Sequence, residues 1–226
     1  MIEWKWEIAA QQQPCSVEDV VRILLENRGA GPSFLSSELA DLKAYLAVKG
    51  LEEGADLMAR RLREDRKVVL VADYDCDGIT SAAQMSLFLR EIGYHNFSVV
   101  LPDREEGYGI PGRAIPDHPD AGLFVVMDCG TSEREKIERI RGLGADCLVL
   151  DHHEVPREGA APATVLVNPK QPGCPSPFKE FCSSGLTLLF LTRLRKALAG
   201  GFPRPRLGGK YLELAAIGTI ADLVPL

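Results

Sequence analysis

Five short, almost unbroken apolar runs, most of them leading into a helical pattern, constrain the fold of this chain more than any other feature. They are KVVLVAD (67–73), FSVVLP (97–102), LFVVMD (123–128), DCLVLD (146–151) and TVLVN (164–168). Continuous Val and Leu without polar alternation is what a strand covered on both faces requires. Helical patterns fall between them at 79–92, 132–143 and, more loosely, 111–120. This strand–helix–strand order predicts an α/β fold: a doubly wound, mainly five-stranded parallel sheet with helices on both faces. Two more helices are expected over 184–199 and 210–221.

The chain before residue 66 reads differently. Residues 2–8 alternate, with Ile2, Trp4, Trp6 and Ile8 on one side and Glu3, Lys5 and Glu7 on the other, as a half-buried strand would. Residues 16–28 and 51–65 have amphipathic helical spacing. The expected division is therefore a strand and helical extension over 1–65 and a sheet domain over 66–226. No apolar run reaches the roughly 18 residues of a membrane span, and MIEWKWEI does not resemble a secretory signal, so a cytoplasmic protein is expected. The six cysteines have no CxxC pair among them, which argues against a zinc site or a disulfide framework.

Acidic residues collect where the apolar runs stop. Asp73, Asp128 and Asp151 each end a predicted strand, Asp75 and Asp77 follow the first, His152 and His153 follow the fourth, and Asp222 lies in GTIADLVPL near the final helix. In an open α/β sheet the carboxyl ends of the strands share one edge, where ligands bind. An isolated Asp after a strand is commonly a helix cap. Several gathered on one edge repel one another unless cations are present. Oxygen ligands with one or two imidazoles and no thiolate suit Mn²⁺ or Mg²⁺. Two such ions could clamp a phosphoryl group between them. A calcium loop starting at Asp73 fails, because its twelfth position is Gln84 where a bidentate Glu is required. His95 and His118 fall in loops and are expected in solvent.

Four segments, ADYDCDGITS, MDCGTS, LDHHEVP and IGTIADLVPL, resemble in order motifs I to IV of the DHH phosphoesterase superfamily. LPDREEGYG (101–109), NPKQPGCP (168–175), SSGL (183–186) and LLENRG (24–29) are similar to its RecJ branch of single-strand-specific exonucleases. The resemblance implies a Mn²⁺- or Mg²⁺-dependent 5′-to-3′ exonuclease on single-stranded DNA, acting in recombination and repair, with a helicase or single-strand-binding protein as partners. It implies that Asp75, Asp77, Asp128, His152 and Asp222 ligate two metal ions, with Asp128 bridging. Asp73 belongs to the same motif, as a ligand or just behind the ligands. Asp151 is expected to orient His152, and His153 to act at the scissile phosphate. Family members continue into DHHA1 and OB-fold domains, which implies that this chain is an N-terminal catalytic part.

Cys76 and Cys129 replace residues usual in motifs I and II and are expected to pack as small apolar groups, with a thiolate ligand at Cys129 as the alternative. Outside the metal ligands, Arg104 is a candidate for a terminal phosphate or for a loop salt bridge with Glu105 or Glu106. Ser184 and Gly185, at a helix start, are candidates for a second phosphate. The net charge is −6, yet residues 193–210 carry six basic side chains and no acidic one, a stretch that could follow a DNA backbone. Two rivals remain open: a DHH phosphodiesterase on short oligonucleotides or cyclic dinucleotides, and a non-catalytic, Cdc45-like DNA-binding scaffold.

Overall fold

A computed structural model describes residues 16–31, 43 and 45–225. The alternating segment 2–8 and Cys15 lie outside the described residues. The chain divides into two compact units, Met1–Lys43 and Ala44–Leu226. In the first, helix α1 (Val17–Glu26) starts where Ser16 Oγ accepts the Asp19 N–H at 3.1 Å, and Arg22 bridges Asp19 and Glu26 one turn either way.

The second unit holds all five expected strands: β1 (Val68–Ala72), β2 (Phe97–Val100), β3 (Leu123–Met127), β4 (Asp146–Leu150) and β5 (Val165–Val167). They form one parallel sheet in the order β2-β1-β3-β4-β5. The chain winds outward from β1 in both directions, so the β1/β3 seam is the point where helices leave on opposite faces. A crevice opens there at the carboxyl ends. Ala72 pairs with Met127 across that seam, which brings Asp73 and Asp128 together one residue beyond.

Side chains of a strand alternate between faces. Val69, Val71, Phe124, Val126, Cys147 and Val149 face a cluster completed by Ile137 and Ile140 of helix α4 (Arg134–Gly142) and by Ile110, Ala114 and Ile115. The opposite face is covered by helices α2 (Leu51–Arg63), α3 (Cys76–Glu91) and α5 (Ser183–Ala197), with α6 (Lys210–Ala221) packed on α3 and α5. Every residue of β1 and β3 is buried, which is why neither could be a polar-alternating strand.

Two expectations need correction. Residues 111–120 form only a short 3₁₀ turn, Gly112–Ala114. Pro116 and Pro119 lack N–H groups and clash with the preceding turn, so an α-helix cannot run through them. Helix α2, assigned from sequence to the extension, packs on α5 and belongs to the unit that begins at Ala44, twenty-odd residues before the expected boundary. Its apolar face, from Leu51 through Leu62, is buried in that packing. No described helix is long and apolar enough to cross a membrane.

Candidate metal centre

The acidic cluster is built from chain ends of three strands and one helix. After β1, Asp75 caps α3, its carboxylate accepting the Gly78 N–H at 3.0 Å. The chain is already helical at Gly78. A Cβ at Gly78 would lie 2.3 Å from the Asp73 carbonyl oxygen, so glycine lets the first turn of α3 sit directly on the strand end. After β3, Asp128 takes a left-handed backbone, φ 61°, which aims its side chain across the seam. Such conformations cost of order 1 kcal/mol or more and collect at functional sites. After β4 come Asp151, His152 and His153. Asp222 caps the carboxyl end of α6.

These elements converge on the His152 ring. Its Nε2 lies 3.4 Å from Asp128 Oδ1, 3.6 Å from Asp222 Oδ2 and 3.9 Å from Asp77 Oδ2. That nitrogen is buried and has no hydrogen-bond partner. Two groups have ligand atoms mutually within 4.8 Å, Asp128–His152–His153 and Asp77–His152–Asp222, and they share His152. Burial, then the charges of Asp77 and Asp75, raises the Asp128 carboxyl to about 11, and burial also raises Asp222. An unpartnered buried imidazole nitrogen facing carboxylates that resist ionisation is the donor set of a cation site: a divalent ion would take the lone pair and offset the repulsion.

Several residues stand elsewhere than expected. Asp151 does not orient the His152 ring. Its carboxylate lies 2.7 Å from His153 Nδ1 and accepts the backbone N–H groups of His152, His153 and Thr131. Burial would raise Asp151, but these bonds bring it down to about 2. The same contact raises His153, whose side chain remains 60% exposed. Asp73 and Asp75 lie outside both ligand groups, Asp75 acting as the cap of α3. Asp73 accepts the backbone N–H of Tyr74 at 2.7 Å, and burial raises its carboxyl.

Ser184 and Gly185 are corrected more sharply. The N–H groups of Ser183 and Ser184 are bonded to Asp77 at 2.6 and 2.8 Å, and that of Gly185 to Cys182 Sγ. The amino end of α5 is already filled by a carboxylate, as its dipole favours, and leaves no such groups for a phosphate. Arg104 is exposed and makes no salt bridge among the described residues. Its guanidinium lies 5.7 Å from the Tyr74 ring centre, and Tyr74 meets Tyr108 at 4.7 Å. The basic stretch 193–210 begins near the carboxyl end of α5. At 1.5 Å per residue Arg193 stands about 15 Å along the helix from the end that holds Asp77. His95 is exposed, but both ring nitrogens of His118 are buried without partners.

Cys129 is buried, and burial pushes its thiol well above its ordinary value, so it packs as a neutral group. Cys76, expected to pack, is exposed instead. Cys76→Ala is expected to change stability by no more than about 0.5 kcal/mol and to leave metal binding unaltered in a Mn²⁺ titration. Loss of bound metal would place the thiol among the ligands.

Residues not singled out from sequence complete the site. Asn168 is fully buried and donates to Thr131 Oγ1 and the His153 carbonyl at 3.1 and 2.9 Å, joining motifs II and III. Gln84, used above only to reject a calcium loop, donates to the Ser184 carbonyl and hydroxyl. Gly218 sits where α6 crosses α3 and α5: a Cβ there would lie 2.5 Å from Ser184 Cβ, 2.7 Å from Thr80 Oγ1 and 2.8 Å from Asp77 Oδ1. It lies in IGTIADLVPL, but only the crossing shows why a glycine stands there.

Residues 67–219 match the model of the DHH family, N-terminal domain. The chain is 33% identical to the single-stranded-DNA-specific exonuclease RecJ of Bacillus subtilis, over 98% of this chain and 29% of that protein. It is 35% identical to the protein of the same name from Thermus thermophilus, over 81% of this chain and 26% of that one. A crystal structure of exonuclease RecJ bound to manganese superposes with a TM-score of 0.67 at 33% identity, covering 79% of this chain and 44% of the other. The chain thus spans less than a third of the length of these two curated relatives.

Proposed function

The chain belongs to the DHH family, and from that premise we propose that it carries the catalytic centre of a divalent-metal-dependent nuclease. The substrate is single-stranded DNA, cut from the 5′ end to 5′-mononucleotides during recombination and repair. The observation that carries this reading is the unpartnered, buried His152 Nε2 facing Asp77, Asp128 and Asp222. Asp75, Asp77, Asp128, His152 and Asp222 would hold two ions, Mn²⁺ or Mg²⁺, with Asp128 nearest both. Bound there, the ions would polarise the phosphoryl oxygens and lower the pKa of a water. The manganese named for the solved RecJ, and the names of the relatives, support metal and substrate alike.

The chain's own residues supply the rest. Asp151 fixes the His153 ring through Nδ1 and leaves Nε2 free to give a proton to the departing 3′ oxygen. Asn168 holds the His153 carbonyl, so the imidazole is supported from both ends. Asp73 works behind the ligands. Arg104 meets the 5′-terminal phosphate, while Tyr74 and Tyr108 offer rings on which a base can stack. A complete ligand set favours the enzyme over a non-catalytic scaffold. The protein is placed in the cytoplasm, where a helicase or single-strand-binding protein would present the strand.

The test is a Mn²⁺-dependent assay on labelled oligonucleotides with a 5′ phosphate or a 5′ hydroxyl, single-stranded or duplex. Cleavage confined to single strands, progressing from the 5′ end, is expected. Arg104→Ala should slow 5′-phosphorylated strands about tenfold more than 5′-hydroxyl strands, since only the former lose a charge-assisted contact. Equal losses on the two would remove Arg104 from the phosphate site, and equal cutting of duplex would remove the single-strand assignment.

A further inference from the structure

The loop after β2 carries Arg104 and Tyr108 past the metal centre with little regular structure of its own, only a 3₁₀ turn at Arg104–Glu106. Its return is held by a charged pair on α4's first turn. Glu133 Oε2 accepts the Ile110 N–H at 2.9 Å, Lys136 Nζ donates to the Ile110 carbonyl at 2.6 Å, and the two side chains meet each other at 2.6 Å. Both polar groups of one peptide residue are thus taken by one ion pair. Gly109, at φ 99°, fits only without a side chain, because a Cβ would lie 2.6 Å from Glu133 Oε1. The 109–110 segment is therefore held on α4, with Tyr108 immediately before the hold and its ring against Tyr74 of motif I.

We infer that Glu133 and Lys136 are positioning residues that set the Tyr74–Tyr108–Arg104 surface against the metal centre, and so control how the strand is seated. This rests on the nuclease reading given above. Neither side chain belongs to the ligand groups or touches the metal cluster among the described residues. A buried or half-buried ion pair adds little net stability against its desolvation cost, so its use on a loop backbone is better suited to fixing geometry. A seating surface that touches the strand away from the reacting phosphate contributes uniform binding, so its displacement raises KM and leaves kcat. Glu133 follows MDCGTS of motif II directly and precedes α4, where from sequence it reads as an ordinary acidic residue at a helix start.

The test compares wild type, Glu133→Ala and Glu133→Gln in Mn²⁺-dependent cleavage of a single strand, in Mn²⁺ titration and in amide exchange over residues 101–111. Glu133→Ala should raise KM about tenfold with kcat within about twofold and Mn²⁺ affinity unchanged, and should speed exchange in 101–111 but not in α3. Glu133→Gln retains an acceptor for the Ile110 N–H and should recover most of the loss. An active wild type with KM unchanged in Glu133→Ala overturns the positioning role alone, as does a KM rise without faster exchange in the loop. A wild type that cleaves no single strand overturns the nuclease reading, and this inference with it.

Discussion

Asp128→Asn is expected to reduce hydrolysis by two to three orders of magnitude, about 3–4 kcal/mol of transition-state stabilisation, while the metal-free protein melts no lower than the wild type. Asparagine keeps the side-chain shape and tolerates the left-handed backbone that Asp128 adopts at φ 61°. What it removes is one carboxylate from a buried group in which Asp77 and Asp75 already disfavour its charge. Without metal the buried carboxyl is already held in its neutral form, so the amide changes little. With metal it takes away the side chain that lies closest to His152. The stabilisation that Mn²⁺ confers through binding only the folded state should therefore shrink sharply in a thermal melt. Activity above a tenth of wild type, or an undiminished Mn²⁺ shift, would exclude Asp128 as the shared ligand.

Gly218→Ala should damage both packing and the metal site through a single methyl group. The added carbon meets Ser184, Thr80 and Asp77 at 2.5–2.8 Å, and these come from two helices that are themselves packed on the sheet. Overpacking of this kind costs about 1–3 kcal/mol, and here the only relief is to move α6 outward. Asp222, which caps α6 four residues later, would move with it and open its 3.6 Å approach to His152. A fall in melting temperature together with weaker Mn²⁺ binding is the expected pair of results. A stability loss with unchanged metal affinity would mean that Asp222 does not depend on where α6 crosses. Gly201→Ala, where a Cβ meets nothing within 4 Å, is the control.

The strands and the acidic edge were legible because their causes are local. A run such as VVLVA can be buried on both faces only in a covered parallel sheet, and an Asp at the end of each of three such runs must then lie on one edge. The loose pattern over 111–120 misled because apolar spacing was weighed above Pro116 and Pro119, which forbid the helix outright. The boundary at 65 was misplaced for a related reason: amphipathic spacing shows that α2 has an apolar face but not what that face meets.

What the sequence determined by itself is the list of chemical groups and the edge on which they stand, since strand direction and side-chain type are properties of short segments. What only the tertiary structure decided is which atom each group addresses. Asp151 and His152 are neighbours in the chain, yet the Asp151 carboxylate turns to His153 and to backbone N–H groups, leaving His152 Nε2 facing residues 24 before it and 70 beyond it in sequence. Ser184 has the composition of an anion site, yet Asp77 arrives there first. Hydrogen-bond direction depends on distances between elements far apart along the chain, and those distances exist only once the helices have packed on the sheet.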